Sequence, residues 1–315
     1  MNRSELMKAP LTRTYLAVPA HRERLVKNAA LSDADAVFLD LEDAVPPAEK
    51  DQALESAVAA LTTIEWGRKW VSVRLTAFDS RTIKVEVNRL GRLQRLNALI
   101  IPKAERVADI ITIAGSITEA AGDRDKPAAM ELLIETALGM VNVDALAAAH
   151  PLVSALHLGV GDFAASIGAR STEIGASPPA YRLTGSASEG YPEAPLDLFA
   201  YPMMRVLVAA RAFGLRAIDG PCGAFRDARA TASTAAKAAA MGFDGKQVIH
   251  PSQIASTREA FIPTAEERAA AERALAALEE AARQRLGAVT VDGKMIDYAN
   301  VRMIQRLLSF CGDQD

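Results

Sequence analysis

Nine polar residues stand at the ends of short apolar runs in this 315-residue chain: Asp40, Glu42, Asp43, Arg74, Lys103, Glu135, Asp162, Asp219 and His250. Six of the nine are carboxylates. Acids gathered in one mouth repel one another unless a cation stands among them. A few hard oxygen ligands, with room for water and substrate, favour Mg2+. The stretch FLDLEDAVPP, from Phe38 to Pro47, sharpens the question, because three acids within four residues close what otherwise reads as a buried strand.

Each of these residues also has a plainer use. Asp40 or Asp43 would cap the helix that follows, although capping does not account for three acids. Glu135 closes MELLIET and would be solvated at a strand end. Asp162, in GVGDFAASIG, would cap a helix beginning at Phe163. Arg74 would pair with one of the acids, and Lys103 would be structural. His250, before Pro251, reads as a satisfied strand-end histidine rather than a metal ligand. Cys222, in DGPCGAF, has no base beside it in sequence and reads as packing.

Eight apolar runs must position these groups. They begin at Thr14, Ala36, Trp70, Ala98, Met130, Ser154, Ala217 and Lys246, and each is followed by a polar stretch and then an Ala/Leu-rich helical pattern. Six of the seven start-to-start intervals lie between 22 and 34 residues, one β-loop-α unit each. The exception, from Ser154 to Ala217, holds a Gly/Ser/Pro-rich stretch over 169–195 that reads as a long loop. Near-continuously apolar strands alternating with helices predict a parallel (β/α)8 TIM barrel, with chemistry at the C-terminal ends of the strands. An open doubly wound sheet would show a Gly-rich turn after its first strand, and VPAHRERL has none.

The spacing predicts one long helix over 264–286, with Thr264 and Glu267 as a capping box and Gly287 as its stop. A hairpin turning at Asp292-Gly293 and a closing helix follow. The expected division is therefore a catalytic barrel over 1–286, including that helix, and a C-terminal helical and hairpin lid over 287–315. A net charge of −3, dispersed basic residues and 5% aromatics give no footprint for nucleic acid. No run reaches about 18 apolar residues, so no membrane span is expected. The N-terminus has no secretory pattern, and Cys222 and Cys311 lack zinc or redox spacing; a cytoplasmic setting is expected.

Taken in order, LAVPAHRERLVKNA, DLEDAV, WVSVRL, IIPK, LLIET, LGVGDFAASIG, AIDGP, GFDGKQVIHPSQI and GKMIDYANVRM cover nearly the whole chain. Their joint order and spacing resemble the CitE-like branch of the HpcH/HpaI aldolase and citrate lyase β-subunit superfamily. Within it the chain is most similar to the stand-alone malyl-CoA, β-methylmalyl-CoA and citramalyl-CoA lyases. The resemblance implies a TIM barrel, Mg2+ or Mn2+, an acyl-CoA thioester and a homo-oligomer, a trimer or a dimer of trimers. It implies that Glu135 and Asp162 are the metal ligands and that Arg74 contacts the oxo acid and the developing enolate. Asp40, Glu42 and Asp43 fall where relatives hold metal-bound waters. Arg22, Arg24 and Lys27 fall on the residues that grip CoA phosphates. Asp297 falls on an acid that the lid carries to a neighbouring subunit's site. One departure is Ala20, where relatives have glycine after the first proline.

The reaction so implied breaks the Cα–Cβ bond of a carboxylated 3-hydroxyacyl-CoA, giving acetyl-CoA or propionyl-CoA and a 2-oxo acid such as pyruvate or glyoxylate. Three rivals stand beside it: a malyl-CoA thioesterase on the same scaffold, a citrate lyase β chain acting on an acyl-carrier thioester, and a Schiff-base aldolase using Lys103 or Lys246. The tail bearing Asp297 argues against the second. An acid-rich mouth argues against the third, since it raises a lysine's pKa.

Overall fold

The structure is a computed structural model and describes residues 11–77, 82–122, 124–185 and 193–311. The eight apolar runs form eight parallel strands: β1 Thr14–Pro19, β2 Ala36–Asp40, β3 Trp70–Arg74, β4 Ala98–Ile101, β5 Ala129–Ile134, β6 Val153–Leu158, β7 Arg216–Asp219 and β8 Gly245–Val248. Each pairs with the next in sequence, and β8 returns to β1 with Val248 abreast of Leu16, so the barrel is closed. The described helices are α1 Glu23–Leu31, α2 Lys50–Thr63, α3 Ile83–Leu90, α4 Val107–Ala121, α5 Ala137–Val141, α6 Val143–Ala148, α7 Val160–Ser166, α8 Ala200–Ala212, α9 Ala228–Met241, α10 Ile254–Phe261, α11 Ala265–Arg283 and α12 Tyr298–Ser309.

The strands are apolar on both faces because one face meets the helices and the other fills the barrel. Tyr15, Ala36, Phe38, Trp70, Ala98, Ile100, Ala129, Leu133 and Ile218 form a buried cluster. Side chains alternate along a strand, so every second residue faces the same way. On β2 that series is Ala36, Phe38 and Asp40; on β3 it is Trp70, Ser72 and Arg74. The register sets Ala36 beside Trp70, Phe38 beside Ser72 and Asp40 beside Arg74. The pairing of the apolar residues thus delivers an acid and a guanidinium to the same level of the mouth.

The stretch expected as a long loop carries a two-residue antiparallel ladder, Arg182–Leu183 with Ala194–Pro195, and residues 186–192 lie outside the described ones.

Two compact units divide the chain, Met1–Thr257 and Arg258–Asp315. The second takes in α11, which the division expected at 287 grouped with the barrel. Its capping box is formed, with Thr264 and Glu267 each bonding the other's backbone N–H. The helix ends at Arg283, with Gln284 rather than Gly287 after it as the C-cap, and Arg285 takes the left-handed turn with φ 59°. Strands β9 Ala288–Val291 and β10 Lys294–Asp297 form the hairpin. Asp292 and Gly293 both have positive φ, 49° and 75°, the geometry of a tight two-residue turn.

Candidate active site

Asp40 ends β2 and does two jobs. Its oxygens accept the N–H groups of Glu42 (2.9 Å) and Ala44 (3.0 Å), which fixes the turn after the strand. The same oxygens accept from Arg74 Nε and Nη2, both at 2.7 Å. Burial pushes the Asp40 carboxyl up, but the hydrogen bonds and charge of Arg74 outweigh it and hold the pKa below the usual value. Asp40 therefore caps a loop, and α2 begins only after a 3-10 turn at Pro47–Glu49.

Arg74 is gripped through one edge of its guanidinium. Its Nη1 stands 3.1 Å from Glu42 Oε2. That oxygen is nonetheless buried without an aligned donor. The contact is an ion pair rather than a hydrogen bond, and burial leaves the Glu42 pKa raised. The other Glu42 oxygen accepts from Lys103 Nζ at 2.5 Å, and Asp43 lies 3.6 Å from the same ammonium.

Lys103, just past β4, has φ 48°, uncommon for a residue with a side chain. That backbone turns its N–H onto Glu135 Oε1 at 2.8 Å. Its ammonium is held protonated: burial works against the charge, but Glu42 and Asp43 outweigh it and raise the pKa. The other lysine considered as an imine former, Lys246, is buried with its ammonium 2.6 Å from Asp219. Asp219 is thereby removed from the acids of the mouth.

These ion pairs revise the charge argument made from sequence. Arg74, Lys103 and Lys246 already answer Asp40, Glu42, Asp43 and Asp219. Two carboxylates are left over. Glu135, after β5, is 1% exposed and accepts only the Lys103 N–H among the described residues. Burial raises its pKa well above the usual value, and the charges of Glu42 and Asp162 push the same way. Asp162, after β6, has no hydrogen bond or ion pair among the described residues. It is not the expected helix cap: α7 begins earlier, at Val160, with Gly159 as its N-cap, and Asp162 lies in its first turn. Gly159 also clears space for Glu135. A Cβ there would lie 2.4 Å from Glu135 Cβ and 2.5 Å from Oε2.

A divalent cation fits this pair. Two mutually repelling carboxylates, one buried and short of donors, gain from a positive ion, and their oxygens are the hard donors Mg2+ takes. Among the described residues no three His, Cys, Asp or Glu side chains converge as a metal cage.

The remaining sequence candidates lie elsewhere. Arg22 is the N-cap residue of α1 and Arg24 lies in its first turn, both exposed beyond β1. Lys27 pairs with Glu23 at 2.6 Å. Asp297, in the C-terminal unit, caps α12 by accepting the Ala299 N–H at 2.8 Å, with Asn300 returning the bond. His250 caps the 3-10 turn at Pro251–Gln253, and Cys222 is buried.

Sequence reading missed a second polar cluster, inside the barrel nearer the strands' N-terminal ends. Glu131 Oε1 accepts from Arg216 Nη2 (2.7 Å), Trp70 Nε1 (2.9 Å) and the Tyr15 hydroxyl (3.0 Å). Its Oε2 lies 3.1 Å from His157 Nε2, and Gln247 closes on His157 Nδ1. The signal was a lone acid within an apolar run, which a buried strand tolerates only with partners.

A closed (β/α)8 barrel with acids, an anchored arginine and an unanswered carboxylate pair at its C-terminal mouth defines a class of barrel enzyme. The chain belongs to the HpcH/HpaI aldolase/citrate lyase family, whose profile matches residues 13–251. It is 34% identical over 299 residues to an L-malyl-CoA/β-methylmalyl-CoA lyase of Cereibacter sphaeroides, spanning 93% of this chain and 92% of that one. A (3S)-malyl-CoA thioesterase of the same species is 32% identical over 297 residues, spanning 94% and 93%. The crystal structure of CitE from Mycobacterium tuberculosis in complex with magnesium, acetoacetate and coenzyme A superposes with a TM-score of 0.75 at 30% identity, covering 98% of this chain and all of that one.

Proposed function

We propose that this protein is a Mg2+-dependent carbon–carbon lyase acting on a short, carboxylated 3-hydroxyacyl-CoA: malyl-CoA, β-methylmalyl-CoA or citramalyl-CoA. The products are acetyl-CoA or propionyl-CoA and a 2-oxo acid, glyoxylate or pyruvate. The carrying observation is Glu135, buried and short of partners beside Asp162, facing an arginine already fixed in place. Relatives named as malyl-CoA lyases support the substrate class.

In this reading Glu135 and Asp162 would hold the cation, which would supply Lewis acidity to the reacting substrate. Asp40 and Glu42 hold Arg74 so that its remaining N–H groups face the charge that develops when the bond breaks. Such aimed donors are often the largest catalytic contribution. The 3-hydroxyl gives its proton to solvent and becomes a carbonyl, while the Cα–Cβ electron pair passes to the thioester fragment as an enolate, so the proton lost there is matched by the one the enolate carbon gains. Asp297, brought by the C-terminal segment of a neighbouring subunit in a homo-oligomer such as a trimer, gives the enolate carbon its proton. Arg22 and Arg24 hold CoA phosphates; Lys27, paired with Glu23, contributes less. The cytoplasm is the proposed compartment.

Incubating the protein with a panel of 3-hydroxyacyl-CoAs, with and without EDTA, and identifying both products tests this. Malyl-CoA should give acetyl-CoA and glyoxylate, and EDTA should stop turnover until Mg2+ or Mn2+ is added. The thioesterase relative supports a second reading, in which malate and free CoA appear instead.

A further inference from the structure

The stretch over 169–195 is long for a connection inside a compact barrel, and such connections often carry function. Its first part lies against the mouth. The Ile174 carbonyl accepts the Gly223 N–H at 2.8 Å, which ties the stretch to the loop after β7. Side chains are excluded from this seam. A Cβ on Gly223 would lie 3.1 Å from Ile174 Cβ, and one on Gly175 would lie 2.5 Å from the Pro221 carbonyl oxygen. The Ile174 side chain also rests on Gly161, where a Cβ would stand 3.7 and 3.8 Å from its Cγ1 and Cγ2. Gly161 lies in the first turn of α7 and directly precedes Asp162.

Ile174 is thus held through its backbone and along one side of its side chain, yet it is 46% exposed. A lone exposed aliphatic residue needs no special explanation in itself. This one is β-branched, with few rotamers, and it is fixed beside one of the two carboxylates left without a cation. An apolar contact set in advance at a polar mouth selects by substituent, and one methyl more or less on a substrate is worth ~10-fold or more. The candidate substrates differ in this respect. Malyl-CoA has no methyl branch, β-methylmalyl-CoA carries one on its thioester half, and citramalyl-CoA carries one on the carbinol carbon of its oxo-acid half. Hard cations take oxygen donors, and the free carboxylate and the hydroxyl both belong to the oxo-acid half. That half is therefore the one expected at Asp162, and its substituent is the one expected at Ile174.

We propose that Ile174 is a specificity-determining residue, packing against a methyl group on the carbinol carbon, so that the protein prefers citramalyl-CoA and pyruvate over malyl-CoA and glyoxylate. This rests on the lyase reading above and deepens it by choosing among its substrates.

Calorimetric titration of the protein in Mg2+ with pyruvate and with glyoxylate tests the contact without turnover. Wild type should bind pyruvate ~10-fold or more tightly than glyoxylate. Ile174→Ala should lose that preference through weaker pyruvate binding, with glyoxylate affinity unchanged, and Ile174→Val should keep most of it. The ratio of kcat/KM for citramalyl-CoA over malyl-CoA should fall in Ile174→Ala by a similar factor. A wild type that favours glyoxylate or binds neither acid overturns the proposal. So does an Ile174→Ala variant that weakens both acids equally or leaves either ratio unchanged. Cleavage of malyl-CoA in preference to citramalyl-CoA keeps the lyase reading and overturns this one. A pyruvate preference that follows Ile174 in a protein that cleaves no acyl-CoA keeps the contact and sinks the lyase reading.

Discussion

Glu131 and Glu135 are four residues apart in sequence, and each is almost wholly buried, at 0% and 1% exposure. Their pKa values move in opposite directions. Burial would raise Glu131, but Arg216, His157 and Tyr15 outweigh it and bring it down to about 2. Glu135 has one backbone donor and two acidic neighbours, and it is pushed well above the ordinary value. Burial is common to both, so the partners decide. The inner carboxylate is complete within the chain. The mouth carboxylate is left short of donors among the described residues. A buried acid left short of partners is the better pointer to function.

The largest expected effect is at the completed site. Glu131→Gln leaves the Arg216 charge buried without its partner and should cost about 3–5 kcal/mol in urea unfolding. A loss under about 1 kcal/mol would break the comparison, because Glu131 would then not be the anchor of its cluster. Asp297 sharpens the contrast from another side. Its hydrogen bonds are those of an N-cap, and Asn caps about as well. Asp297→Asn should therefore unfold like wild type while kcat falls by ~10²–10⁴, the contribution of a proton-transfer group. Unchanged kcat would reduce Asp297 to its cap. Mixing Asp297→Asn chains with Arg74→Ala chains should restore part of the activity if lid and barrel come from different subunits.

Smaller effects follow at the mouth. Gly159→Ala would press on Glu135 Cβ and Oε2, and Mn2+ affinity should fall by roughly 10–100-fold, as when a ligand's support is disturbed. Unaltered affinity would show that Glu135 does not need that space. The smallest effect is on pH dependence. The folded pKa of Glu131 is lowered, so its stabilisation is present above the ordinary carboxylate value and is lost as pH falls from about 4.5 toward about 2. The folded pKa of Glu135 is raised, so in metal-free protein its stabilisation is present at low pH and is lost as pH rises through the raised value. Glu135→Gln should flatten the decline of metal-free Tm with rising pH. An identical decline in wild type and Glu135→Gln would place its cause elsewhere.

The barrel was legible because both faces of its strands are covered, so all eight runs carry a continuous apolar signal. Asp40, Arg74, Glu135 and Asp162 were legible because each follows or ends such a run. Their pairing was not. Which acid meets which cation depends on register, as with Asp40 beside Arg74, and on a left-handed backbone at Lys103 that residue type does not announce. The Glu131 cluster draws on β1, β3, β5, β6, β7 and β8, and no local spacing records so dispersed a contact. The end of α11 was misplaced for a related reason: Gly287 looked like the stop, but Arg285 adopts the left-handed turn.

The most direct measurement is Mn2+ binding followed by electron paramagnetic resonance on wild type, Glu135→Gln and Asp162→Asn, each shown to be folded by thermal unfolding. Wild type should bind one ion per chain, and both variants should lose it without a drop in metal-free Tm. Undiminished binding in Glu135→Gln would mean that the cation sits elsewhere and that the unanswered carboxylate at the mouth is not its ligand.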